Sequence, residues 1–250
     1  MSLVALITDF GTKDGFVGAM KGVMLSINPK IDIVDVTHEV EPFNIFEGAL
    51  ILKAHYKYFA KGTIFVCVVD PGVGSERLPI ALECNGYYFV GPHNGIFDLA
   101  LQDIDRDVKA YRIENLTLPR INKTFHGRDI FAPVAAYISR GVTLEEVGRA
   151  FEYGYFLKWE KPVLRGDTLM GSVIYFDRFG NAITNIPCGS YLEGSIRNRK
   201  LPIVSHFLEQ RGKEPAMLCG SFGLMEVFVP MDSAKELLKL KLNEPVLVKF

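Results

Sequence analysis

The chain has 250 residues, 48% of them hydrophobic and 23% charged, with a formal net charge of -1. That length is long for one domain and comfortable for two, with apolar material for a sizeable core. The balanced charge supplies no basic field, which argues against nucleic acid as a partner.

The opening MSLVALITDFGTKDG has no basic leader, and its apolar run breaks after a few residues. It reads as neither a signal peptide nor a membrane span, so no membrane association is expected and the cytoplasm is the expected location. Leu3–Ile7 is instead an all-apolar strand ending at Thr8-Asp9-Phe10-Gly11. Phe16–Ile27 has helical periodicity and stops at Asn28-Pro29, and Ile31–Thr37 is a partly alternating strand ending at His38. Strand, glycine loop, helix and strand make a βαβ unit. The glycines do not spell G-x-G-x-x-G, and no Walker A lysine motif exists, so a bound pyrophosphate is disfavoured.

A helix is expected from about Asn44 to Phe59, ended by Gly62. Ile64–Val69 follows, a β-branched and aromatic run that reads as a strand buried on both faces. It closes at Asp70-Pro71-Gly72-Val73-Gly74, leaving a carboxylate at a strand's carboxyl end, where open α/β sheets place ligand crevices. The glycines permit a tight reversal that could carry Arg77 back over Asp70. The plainer alternative is a turn with a surface ion pair.

Asn85-Gly86 marks a hairpin between Ile80–Cys84 and Tyr87–Val90. Gly91-Pro92-His93-Asn94-Gly95 leads to a short helix at Ile96–Leu101, and Val108–Ile113 is another strand. Thr124–Asp129 precedes a helix from Ile130 to Ile138, with Asp129 near its N-terminus, and a short helix begins at Thr143. From about Phe151 the pattern changes. A connector over residues 152–166 leads into short strands: Leu169–Phe176, Ala182–Ile186, Pro202–Ser205, Ala216–Leu218, Glu226–Val229 and Val246–Phe250, with one helix at Ala234–Leu240. The expected organisation is an α/β domain over residues 1–158 and a β-rich, barrel-like domain over residues 166–250. The four cysteines, Cys67, Cys84, Cys188 and Cys219, are scattered without a C-x-x-C, so buried free thiols are expected rather than disulfides or a zinc site.

Each polar candidate has an ordinary structural alternative: an Asx turn at Asp9, a helix-start residue at His126, β-turns at Asp177–Asn181 and Ser221–Gly223. Taken in order, however, ITDFGTKDGFVGAMKG, DVTHEVEPFNIFEGA, VVDPGVGSER, GPHNGIF, FHGRDIFAPVAA, DRFGNAITNI and SFGLMEV resemble the successive motifs of the S-adenosylmethionine (SAM) hydroxide adenosyltransferases. These are adenosine-forming SAM hydrolases related to the SAM-dependent fluorinase and chlorinase. The resemblance spans essentially the whole chain. His93 departs from it, standing where the family's G-P-x-N-G loop carries an acidic residue.

The resemblance implies a mixed, mainly parallel seven-stranded sheet with helices on both faces, then a C-terminal β-barrel-like domain. It also implies a homotrimer whose SAM pockets lie between one subunit's N-terminal domain and its neighbour's C-terminal domain. The family's catalytic Asp-Arg-His trio falls on Asp70, Arg77 and His126; the halogenase relatives lack it. Asp9 falls on the carboxylate that holds the ribose hydroxyls. Asp14 and Asp177 fall near the methionine part, Asn181 faces adenine, and Phe43 packs by the ribose. Ser221 and Glu226 face the nucleoside and amino-acid ends. The implied reaction is attack of water on C5′ of SAM, with His126 or Asp70 taking the proton and no metal or redox cofactor. The (R)-sulfonium epimer is a further candidate substrate. The alternatives are halide-dependent adenosyl transfer and a SAM- or adenosine-binding module without turnover.

Overall fold

The structure, a computed structural model, describes residues 3–250. The chain divides into two compact units, one reaching Lys158 and one running from Trp159 to Phe250.

The first unit contains β1 (Leu3–Thr8), α1 (Phe16–Ile27), β2 (Asp32–Thr37), α2 (Ile45–His55), β3 (Ile64–Val68), β4 (Pro79–Cys84), β5 (Tyr87–Pro92), α3 (Asp98–Ile104) and β6 (Val108–Ile113). It ends with α4 (Ala132–Ile138), α5 (Leu144–Val147) and β7 (Gly148–Phe151). The strands form one seven-stranded sheet in the order β2-β1-β3-β5-β4-β6-β7. Pairings from β2 to β5 are parallel, and those from β5 to β7 antiparallel. The sheet is therefore mixed, with parallel and antiparallel pairings in equal number rather than mainly parallel. The reason is the Asn85-Gly86 hairpin, which sets β4 antiparallel between β5 and β6.

β3 shows why the centre of the sheet is buried on both sides. Ile64, Val66 and Val68 enter a core with Met20 and Met24 of α1 and Val134 of α4. Phe65, Cys67 and Val69 enter a second core with Leu52 of α2 and Phe97 and Ala100 beside α3. Alternate side chains of a strand leave opposite faces, so a continuous apolar run needs a helical layer on each.

The second unit contains β8 (Val163–Arg165), β9 (Thr168–Phe176), β10 (Ala182–Pro187), β11 (Glu193–Ile196), β12 (Arg199–Leu201), β13 (Ala216–Cys219), β14 (Leu224–Phe228), α6 (Ala234–Leu237) and β15 (Pro245–Lys249). They pair antiparallel in the order β12-β11-β15-β9-β10-β14-β13, with β8 on β9. Ile203, just past β12, bridges Met217 of β13, so the two ends of the sheet approach closure. Val173, Ile186, Met217, Val227 and Val246 fill the interior.

Several local expectations need correction. The segment expected as a Pro202–Ser205 strand forms only the Ile203 bridge, and the strands lie just before it at β11 and β12. The helix expected from Ile130 begins as a π-helical turn, Gly127–Phe131, and becomes α-helical at Ala132. Cys188 and Cys219 form a disulfide, with Cα atoms 5.2 Å apart; only Cys67 and Cys84 are free and buried. Their separation of 31 residues hides the pairing in sequence, because β10 and β13 approach only through β14. No helix among the described residues is long and apolar enough to cross a membrane.

Candidate active site

The sheet register creates the first cluster. β1 and β3 are parallel neighbours with Thr8 opposite Val68, so Asp9 and Asp70 emerge side by side at the carboxyl edge. The next turn reverses sharply at Gly74 (φ 77°), whose missing side chain matters twice. A Cβ there would lie 2.4 Å from the Lys123 carbonyl oxygen, and L-residues rarely adopt that φ. The turn thereby packs against the segment that carries His126.

Arg77 returns over Asp70 and grips it with a fork. Nε donates to Oδ1 at 2.9 Å and Oδ2 at 3.0 Å, and Nη2 also donates to Oδ2. Both side chains are buried, at 9% and 5% exposure, so this is not a solvent-screened surface pair. The same Nη2 donates to His126 Nδ1 at 2.8 Å. A guanidinium can only donate, so Nδ1 is the acceptor and the neutral ring carries its proton on Nε2. Burial, followed by the charge of Arg77, pushes the His126 pKa below its ordinary value. Arg77 also stacks its guanidinium 5.3 Å from the Phe131 ring centre.

Asp70 and His126 face a cavity of about 250 Å³, and Arg77 stands behind them. Asp9, Phe43, Phe10 and Phe125 line its other sides. Phe10, Phe16 and Phe125 make a T-shaped aromatic cluster, with ring centres 5.2–5.8 Å apart. The sequence reading named only Phe43 among these aromatics. Phe10 and Phe125 adjoin Asp9 and His126, and that adjacency was the available signal.

Asp9 Oδ2 accepts from the Phe43 backbone N–H at 2.9 Å. Phe43 itself is 70% exposed and has a left-handed backbone (φ 68°), a conformation costly for a bulky residue and found disproportionately at functional sites. Desolvation raises the Asp9 pKa; the Phe43 hydrogen bond opposes this, and the neighbouring Asp70 charge adds to it. Asp14 lies exposed in the loop after Asp9 and does not line the cavity.

The second cluster belongs to the C-terminal unit. Asp177, Asn181, Ser221 and Glu226 line a predominantly apolar cleft of about 900 Å³ with Phe179 and Phe222. Asp177 Oδ1 accepts from the Phe179 and Asn181 backbone N–H groups at 2.9 and 2.8 Å, and Oδ2 accepts from Asn181 Nδ2 at 2.9 Å. The β-turn that was the ordinary alternative for this motif is present, closed by the Gly180 N–H to the Asp177 carbonyl at 3.0 Å, on the wall of a cleft. Glu226 lies on β14 with its pKa raised to about 7, first by burial and then by the Asp177 charge.

The family model for the SAM hydroxide adenosyltransferase N-terminal domain matches residues 4–148, and that for the C-terminal domain matches residues 171–247. This chain belongs to the SAM hydroxide adenosyltransferase family. Its relatives in that family include a Thermus thermophilus protein named (R)-S-adenosyl-L-methionine hydrolase, 34% identical over 98% of this chain and 99% of its own length. A Methanocaldococcus jannaschii protein of the same name is 34% identical over 96% of this chain and 93% of its own. A fluorinase of Actinoplanes is more distant, at 29% identity over 74% of this chain and 71% of its own. The fold matches a crystal structure of an uncharacterized conserved Thermotoga maritima protein with a TM-score of 0.91 and 33% identity, over 99% of this chain and all of the other.

The departure from the family motif at His93 has a local explanation. Its ring packs beside Phe151, Tyr153 and Phe156, and its Nε2–H donates to the Gly154 carbonyl at 2.9 Å. An ionised carboxylate, which only accepts, cannot make that bond.

Proposed function

We propose that this chain is an adenosine-forming SAM hydrolase. The observation that carries the reading is the buried Asp70–Arg77–His126 trio at the carboxyl edge of β3, with two of its members facing a cavity that Asp9 shares. Water attacks C5′, the C5′–S bond breaks, and its electron pair returns to sulfur, leaving neutral methionine thioether and adenosine. One proton is released. His126 donates from Nε2–H and orients the water. Its other nitrogen is occupied by Arg77, so the proton acceptor is Asp70, which lines the cavity and keeps acceptor capacity on Oδ1. Water's own acidity, near pKa 15.7, makes proton removal concurrent with attack. The reaction neutralises the sulfonium charge, which an apolar aromatic pocket favours over bulk water. No step as written calls on a metal or redox group.

Asp9 takes the ribose hydroxyls as a charge-assisted acceptor, and Phe43 packs against the sugar. Asp14, Asp177, Asn181 and Ser221 serve the amino-acid and adenine ends. A cavity of about 250 Å³ is below the roughly 300–1,000 Å³ usual for small-molecule sites. That shortfall supports a site that a further surface completes; with the family resemblance, we infer a homotrimer in which a neighbouring subunit's C-terminal cleft is that surface. The relatives' name supports the (R)-sulfonium epimer as the preferred substrate. A halide is disfavoured as nucleophile because Asp9 and Asp70 would repel an anion in this cavity. We place the enzyme in the cytoplasm with its substrate.

The test is incubation with an epimeric SAM mixture in H₂¹⁸O. Label in the adenosine 5′-oxygen, unlabelled methionine and faster loss of the (R) epimer are expected. Adenosine halide formed with chloride or fluoride would overturn the hydrolytic reading, and no turnover at all would favour a binding module.

A further inference from the structure

Thr8 and His38 lie behind the first cluster, and neither lines its cavity. Thr8, the last residue of β1, is fully buried, and His38, just past the end of β2, is 5% exposed. Their meeting depends on a bulge. Leu6 stands opposite Asp35 but Ile7 stands opposite Thr37, so Val36 is an extra residue in β2. The bulge brings His38, rather than Thr37, alongside Thr8.

The hydrogen atoms of the pair are assignable. Thr8 Oγ1 accepts from the Phe10 N–H at 3.2 Å and lies 2.8 Å from His38 Nδ1. His38 Nε2 lies 3.0 Å from Asp35 Oδ1, in a bent contact rather than a hydrogen bond, and Lys21 Nζ donates to Asp35 Oδ2 at 2.6 Å. An unprotonated Nε2 would set its lone pair against that carboxylate, so the neutral ring carries its proton on Nε2 and Nδ1 accepts. Thr8 therefore donates its O–H to Nδ1 and keeps a lone pair for Phe10. The His38 carbonyl accepts from the Gly11 N–H at 2.8 Å. Both amides that follow Asp9 are thus held from His38, one directly and one through Thr8. Asp9 and Phe10 line the cavity, and Phe10 meets Phe125 across it.

A buried hydrogen-bonded pair contributes little to stability beyond apolar residues of the same shape. What this pair adds is a fixed direction for the turn. We propose that His38 is a positioning residue of the active site, acting through the Thr8 hydroxyl to fix the 9–11 turn and so the aim of Asp9. The inference rests on the ribose-holding role of Asp9 in the proposed reaction.

The experiment is calorimetric binding of adenosine and 2′-deoxyadenosine to the full-length protein, with SAM turnover measured on the same preparations of wild type, T8V, T8S and H38N. Wild type should favour adenosine by about tenfold, the worth of one hydrogen bond to a charged group. T8V keeps the shape and loses the hydroxyl; it should bring the two nucleosides within about twofold and lower kcat roughly 10- to 100-fold. T8S should restore both properties, and H38N, whose amide oxygen takes the place of Nδ1, should retain them. Equal weakening of both nucleosides in T8V is the mark of a merely structural role and would overturn the proposal, as would an unchanged preference. Should T8V fail to fold, loss of the preference in H38N would overturn it, and so would a ring ¹⁵N spectrum showing Nδ1 protonated. Loss of the preference in T8V without SAM turnover in wild type would sink the hydrolase reading and leave the positioning role standing. A wild type that turns over SAM without preferring adenosine would do the reverse, and one that neither binds nucleoside nor turns over SAM would overturn both.

Discussion

At the scale of single residues, chemistry is decided by which atoms are already engaged. Arg77 commits Nε and Nη2 to Asp70 and shares Nη2 with His126, so under the proposed reaction the neutral histidine is the donor and the carboxylate the acceptor. D70N should lower kcat by roughly 10²–10⁴-fold, with little change in the affinity for S-adenosyl-L-homocysteine, read by steady-state kinetics and calorimetry. The His126 pKa lies below its ordinary value of 6.5. Its contribution to stability is therefore complete above about pH 6.5 and is lost as pH falls through the lowered value. Activity should follow, with no acid limb near 6.5 in the kcat profile and a fall only at more acid pH. Glu226 has the opposite sign: its pKa rises from 4.5 to about 7, so the native protein loses stability as pH rises through that window. E226Q should raise Tm relative to wild type at pH 8, and the difference should vanish towards pH 5.

At the scale of elements, the Asp70–Arg77 turn is braced at both ends by the Gly91–Gly95 loop. Asn94 Nδ2 donates to the Val69 carbonyl at 2.9 Å, and the His93 N–H donates to the Leu78 carbonyl at 2.9 Å. N94A should reduce kcat roughly 10- to 100-fold with KM little changed, because a small displacement of Asp70 affects the transition state more than binding. Neither brace was legible in the sequence, where G-P-H-N-G read simply as a loop. The apolar runs of β1 and β3, the hairpin at Asn85-Gly86 and the two carboxylates at strand ends were legible, because they follow from local patterning. The disulfide is a second element-scale finding. Closing a 31-residue loop, it should contribute about 2–4 kcal/mol, seen as a lower Tm in dithiothreitol or in C188S.

At the scale of the whole molecule, each unit has its own core, and under the proposed function each carries part of the substrate-binding chemistry. The C-terminal cleft keeps Phe179 at 76% exposure and Met231 fully exposed. Under the proposed trimer, light scattering should give about three times the 28.0 kDa chain mass. F179D should leave far-UV circular dichroism intact while lowering both mass and activity. A monomeric wild type with full activity would contradict that assembly.

The sequence by itself determined the α/β-then-β order of the chain, the strands buried on both faces and the ordered motifs of the family, all properties of short contiguous stretches. Only the tertiary structure decided that β1 and β3 are adjacent in register, that His126 accepts from Arg77, and that Cys188 meets Cys219. Hydrogen-bond donors and acceptors act over about 3 Å, and the residues concerned are separated by tens of positions along the chain. Patterning specifies which face a side chain takes; its partner is set by the packing of the remaining elements.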